Sequence, residues 1–122
     1  VSLPTQQRLN DHLIRWDQTI RDFDTAITAY GNRKADLEYR RAVVKEKAKA
    51  ADEKIAATRL DTMADADEQA HLLHQEYRAA ESTVEALKAR LRWCQAVADA
   101  LRSEISTERA EAGLYSQDRS TP

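Results

Sequence analysis

The sequence predicts an all-α protein, built as a long antiparallel two-helix coiled-coil hairpin that can dimerise into a four-helix bundle. Three observations predict it. The 122 residues include only two Gly and two Pro, so turn punctuation is scarce and a fold of many short strands is excluded. Two stretches of similar length carry apolar side chains at a 3.5-residue period, the mark of a helix that presents one face to a partner helix. A single antiparallel register then brings the two apolar stripes face to face. The background composition agrees: 33% of the residues are charged with both signs mixed, as in long solvated helices.

The first helix is expected near 5–50. Pro4 and Thr5 read as its entry, with Thr5 as N-cap. Steps of four and three from Leu9 reach Leu13, Trp16, Ile20, Phe23, Ile27 and Tyr30, all apolar or aromatic. The stripe continues through Leu37, Val44 and Ala48, interrupted only by Lys34 and Arg41. Gly31 falls inside the run without shifting its phase, so it reads as a helix glycine costing about 1 kcal/mol rather than a turn. A helix end at Tyr30-Gly31-Asn32 is the rival reading.

The connection is expected near 50–60. It has neither Gly nor Pro, and Asp52, Thr58 and Asp61 each suit the N-cap of the second helix. That helix is expected near 60–112. Its stripe runs through Met63, Ala66, Ala70, Leu73, Tyr77, Ala80, Val84, Leu87, Leu91, Cys94, Ala98, Leu101 and Ile105. Gly113 reads as a C-cap and 113–122 as a flexible tail. Each run of about 40 residues makes roughly 60 Å of helix. The register that aligns every stripe residue sets Leu9 against Ile105, Trp16 against Ala98, Tyr30 against Val84 and Leu37 against Tyr77.

Charge fits the same pairing. Residues 33–59 carry nine basic and five acidic side chains, whereas 60–77 carry five acidic and no basic ones. Arg33, Lys34, Arg40, Lys45, Lys47 and Lys49 form the basic cluster that would meet nucleic acid or an acidic partner, with Arg41 and Tyr39 among them. The bland alternative is a solvated face answered by the acidic stretch. A net charge of -2 argues against a protein whose main task is to neutralise phosphates. Off the stripe, Trp93 and Val97 lie one turn apart. They would either seat a second copy of the chain, giving a homodimer, or flank the same seam as a widened stripe.

No chemistry of its own is expected. Glu68 and His71 have the Glu-x-x-His spacing of bundle metal sites, but the facing stripe offers Arg41 and Val44, which do not bind cations. Asp61, Asp65, Asp67 and Glu68 lack the glycine and loop spacing of a calcium loop. Cys94 lies on the packing stripe and reads as a small buried residue. No phosphate loop or nucleophile elbow occurs, so neither a cofactor nor a metal is expected. No apolar run approaches the ~20 residues of a membrane span. A single Cys and no charged-then-apolar leader in these residues suit a cytoplasmic location.

Glu38-Tyr-Arg-Arg-Ala-Val-Val-Lys-Glu-Lys-Ala-Lys-Ala resembles the first helix of small coiled-coil proteins encoded by bacteriophages and prophages. Ala64-Asp-Ala-Asp-Glu-Gln-Ala-His-Leu-Leu-His-Gln-Glu-Tyr-Arg-Ala-Ala-Glu is similar to their second helix, and Leu87-Lys-Ala-Arg-Leu-Arg and Ala100-Leu-Arg-Ser-Glu continue the likeness over roughly 36–108. Members tend to be encoded near single-strand annealing or single-strand-binding proteins. The resemblance implies a non-enzymatic accessory role in phage recombination or replication, in the cytoplasm of the bacterial host. It would be a mediator-like scaffold meeting single-stranded DNA or a single-strand-binding protein. The alternative is an adaptor that grips a host protein without touching nucleic acid. A small secreted hairpin with a Trp-x-Gly turn is set aside, because neither Trp16 nor Trp93 is followed by Gly two residues on.

Overall fold

The computed structural model describes residues 3–120. Three helices occupy them: α1 (Leu3–Ala51), α2 (Ala57–Ala66) and α3 (Glu68–Ser120). No strand occurs among the described residues. The protein is therefore all-α, as its composition predicts.

Helix α1 is uninterrupted. Gly31 lies inside it with an ordinary helical backbone and, beyond its chain neighbours and its own helix backbone, no atom within 4 Å of where a Cβ would stand. The helix begins before Thr5, which corrects the expected N-cap: Pro4 sits in the first turn, where its missing N–H costs nothing. The C-terminal cap is also corrected. Gly113 is helical, no glycine has positive φ, and α3 continues to Ser120. The expected tail is thus helical backbone through 120; residues 121 and 122 lie outside the described residues.

Asp52 makes the bend after α1. Its backbone N–H still donates to the Ala48 carbonyl, while its own carbonyl accepts from Ile55 and its carboxylate accepts from the Lys54 N–H. Such side-chain-to-backbone bonds let Asp turn a chain without glycine. Helix α2 starts after Ala56, which offers no side-chain cap, so none of the three expected caps is used there. The residue that caps a helix is Asp67. It interrupts α2 and α3 with extended backbone, and its carboxylate accepts from the Ala70 N–H at 2.9 Å.

The residues fall into two compact units, Val1–Asp22 with Leu87–Pro122, and Phe23–Ala86. In the first, α1 and α3 run antiparallel. Thr5 Oγ1 donates to Glu108, Arg8 pairs with Glu104, and His12 Nε2 meets the Cys94 carbonyl, so positions ascending on α1 meet positions descending on α3. Leu9, Ala98, Leu101 and Ile105 form its buried cluster, with Trp16 and Val97 packed against it.

In the second unit, α1 runs antiparallel to α2 and the start of α3. Lys45 pairs with Asp61, Arg41 with Asp65, Arg40 with Asp67 and Arg33 with Glu76, and the Tyr30 and Tyr77 hydroxyls lie 3.1 Å apart on stacked rings. This corrects the register. The stripes alone set Tyr77 opposite Leu37; it meets Tyr30, one heptad away. A heptad stripe matches itself equally well after a slip of seven, so the bend at Asp52 decides the register rather than the stripe.

The α3 stripe lies where the sequence puts it: every member from Ala70 to Ile105 is buried or half-buried. Before the break at Asp67 the phase moves by one, so Leu60 and Ala64 turn inward and Met63 and Ala66 stay outside. On α1, Leu9, Trp16, Phe23, Tyr30, Leu37 and Val44 face inward as expected. The flanking set does not. Thr5, His12, Thr19 and Ala26 are buried, while Leu13, Ile20 and Ile27 are left 36%, 43% and 44% exposed. Polar residues are tolerated inside because each is satisfied. The His12 N–H donates to the Cys94 carbonyl and the Thr19 hydroxyl to the Arg15 carbonyl. No described buried side-chain polar atom lacks a partner.

Candidate functional site

Two surfaces compete for the role of functional site. The first is the basic stretch of α1. Its helical spacing turns Arg33, Arg40, Arg41 and Lys45 toward the acidic stretch of α2 and early α3. Arg40 makes a bidentate contact with Asp67, Nε at 2.8 Å and Nη2 at 2.9 Å, and both side chains are largely covered. Two parallel N–H···O bonds give this pair direction as well as attraction. The Arg40 guanidinium, helped by the Ala70 N–H, holds the Asp67 carboxyl down to about 2, and the same contact raises Arg40. The Lys45 ammonium, 2.7 Å from Asp61, lowers that carboxyl too. Arg33 lies within 4 Å of both Asp36 and Glu76.

Half of the six expected contact residues are therefore engaged by the chain's own carboxylates: Arg33, Arg40 and Lys45. Lys34, Lys47 and Lys49 are exposed and make no ion pair with the described residues. The sequence anticipates this neutralisation in bulk; the structure identifies the partners.

The possible metal ligands do not converge. His71 Nε2 lies 3.2 Å from the Gln75 amide, and His74 packs beside Tyr77. Among the described residues no group of three or more His, Cys, Asp or Glu is placed to hold a metal ion. Cys94 is buried and unpaired. No helix among the described residues is long and apolar enough to cross a membrane.

The second surface lies wholly in the first unit. A groove of about 420 Å³ runs between α1 and α3. Its apolar side is Trp93, Val97 and Leu101, and Trp93 stands 60% exposed. Its floor is polar: buried His12, edge-on to the Trp93 ring at 5.8 Å, and buried Thr19. Its rim is basic, with Arg8 and Arg15 on α1 and Arg90 on α3, against one carboxylate, Asp22. Arg8 makes a long 3.5 Å pair with Glu104. Arg15 and Arg90 make no ion pair with the described residues. Asp22 accepts from the Gln18 amide.

Val97 packs on its own unit's cluster, so it flanks the seam, while Trp93 points to the groove. Sequence reasoning singles out these two but misses His12, Thr19 and the three arginines. A signal was available: Thr5, His12, Thr19 and Ala26 recur every seven residues, which places one polar or small residue per heptad on a single line.

No protein-family model matches this chain, and neither a curated protein nor a solved structure is significantly similar to it.

Proposed function

We propose that this chain is a non-enzymatic adaptor, a long antiparallel helical coiled-coil hairpin whose partner is a protein rather than nucleic acid. The observation that carries this reading is where the basic charge goes. Of the six α1 cations that could follow a phosphate backbone, Arg33, Arg40 and Lys45 are each engaged by a carboxylate of their own chain. Nucleic-acid binding through those three would have to break these pairs before gaining new ones. Meanwhile Trp93, a residue type that dominates protein interfaces, is left exposed beside arginines. The antiparallel order of contacts within each unit supports the hairpin.

A mediator-like role in phage recombination or replication is the second reading. It keeps one specific support, the three α1 lysines without ion pairs, Lys34, Lys47 and Lys49. Fluorescence anisotropy with labelled single-stranded DNA decides between the two. At low salt the adaptor reading expects no saturable binding. Binding that weakens as salt rises, by about 0.7 of a log unit in slope per phosphate contact, and that is lost in a Lys34→Glu, Lys47→Glu, Lys49→Glu variant, replaces it with the mediator reading.

A further inference from the structure

We infer that the groove beside Trp93 is the docking site for an acidic amphipathic helix from a partner chain; this rests on the adaptor reading and names the partner's chemistry. The shape comes from the two helices that form the groove. From Arg8 to Asp22 the α1 wall is about 21 Å long at 1.5 Å per residue. Two packed helices leave between them a furrow into which the side-chain ridge of a third helix fits. Four helical turns match its length. The apolar wall of Trp93, Val97 and Leu101 supplies the surface for the incoming helix's apolar stripe.

The sign of the partner comes from the rim. Three arginines face one carboxylate, and that carboxylate is already hydrogen-bonded to Gln18. Arg15 and Arg90 lie on opposite walls without an ion pair among the described residues, so a helix with Asp or Glu flanking both edges of its stripe completes both. Arg presents a planar fork that takes carboxylates bidentately, and Trp and Arg are both enriched at binding hot spots.

The same charges argue against the other occupants. In a two-fold dimer through this face, each copy would bring the same rim of three arginines and one carboxylate, and like charges across an interface are costly. The acidic stretch of another copy is engaged as well, since Asp61, Asp65 and Asp67 hold Lys45, Arg41 and Arg40. A single-stranded nucleic acid would find one exposed aromatic ring here, whereas stacking channels offer successive bases successive rings. The floor suits a peptide too. His12 and Thr19 line it with polar side chains.

The test uses the full chain and two designed 18-residue helical peptides with the same apolar stripe, one flanked by Glu and one by Lys. The readout is the Trp93 indole N–H resonance, assigned with Trp93→Phe. The Glu peptide is expected to shift it saturably, at least tenfold more tightly than the Lys peptide. In the Arg15→Glu, Arg90→Glu variant the preference should reverse, which a merely unfolded variant would not do. Equal binding of both peptides, or binding of neither at millimolar concentration, overturns the groove assignment and leaves the adaptor reading standing. A Trp93 shift driven by oligo-dT instead overturns both. Concentration-dependent dimerisation of the chain alone that shifts Trp93 overturns the groove assignment in favour of a second copy.

Discussion

The two units hold their helices together by different means. In the first, the seam is apolar, with Leu9, Ala98, Leu101 and Ile105 buried as one cluster, and its buried polar residues, Thr5, His12 and Thr19, are each held by a hydrogen bond. In the second, the buried apolar residues are mostly small, Ala26, Ala48, Ala64, Ala70 and Val84, and four ion pairs and one tyrosine pair bridge the helices among the described residues. Ion pairs fix register well because a slip of one residue separates the charges. They add modest stability where water screens them. Apolar burial adds more stability but reads register poorly, since one heptad looks like the next. The difference explains a division of labour: the second unit spends Arg33, Arg40, Arg41 and Lys45 on its own carboxylates, and the first leaves arginines and a tryptophan at the surface.

The comparison breaks first on the apolar side. Ile105 is 5% exposed within its cluster. Ile105→Ala should destabilise the protein by about 2–4 kcal/mol, the sum of lost burial and the cavity left behind. Urea unfolding followed by tryptophan fluorescence measures it. A loss below about 1 kcal/mol would mean the first unit does not rest on that cluster.

A smaller, pH-graded effect belongs to the second unit. Asp67 is held down to about 2 from an ordinary value of 3.8 by Arg40 and the Ala70 N–H. A carboxyl depressed by folding contributes stability that is fully present above its unfolded value and fades as pH falls toward the folded one. Between about pH 4 and pH 2 the second unit should therefore loosen, with Asp61 acting in the same direction. Asp67→Asn keeps a good capping side chain but removes the charge, so it should flatten this acid limb. The ring resonances of Tyr30 and Tyr77 report the second unit, those of Trp16 and Trp93 the first. An acid limb equal in wild type and Asp67→Asn would show that the Arg40 contact is not its source.

How much of the fold and the groove is legible in the sequence depends on what each signal can resolve. The α3 stripe from Ala70 to Ile105 is readable because apolar side chains recur there without a competing face. On α1 two faces are available around Leu9, Trp16, Phe23 and Tyr30. Hydropathy selects Leu13, Ile20 and Ile27; the structure selects Thr5, His12, Thr19 and Ala26. Hydropathy does not see that an imidazole can be satisfied by a backbone carbonyl on the facing helix. In the second unit the stripes misplace the register by one heptad because they repeat, and the bend beside it lies in hydrogen bonds made by Asp52. The break at Asp67 is hidden because helical spacing resumes after a single extended residue. The basic cluster is visible as composition, but which cations are already taken depends on that register. The groove is out of reach for the same reason, since Arg15 and Arg90 come together only once the two helices are aligned.

The smallest effect tests whether the second unit's helix is limited by backbone propensity outside its ion pairs. Gly31 sits in the interior of α1 at an exposed position, with helical backbone and nothing beyond its chain neighbours and its own helix backbone within 4 Å of the place a Cβ would take. Glycine there costs a helix up to about 1 kcal/mol relative to alanine, because the unfolded chain has more freedom to lose. Gly31→Ala adds no contact that could offset that gain. It should stabilise the protein by about 0.5–1 kcal/mol, read as a higher urea midpoint at unchanged slope. Hydrogen exchange locates the gain: amides near residue 31 should slow more than those of the Leu9 and Ile105 cluster if the two units open separately. Equal slowing in both would show that they unfold as one, and the contrast drawn between their seams would then describe composition rather than independent stability.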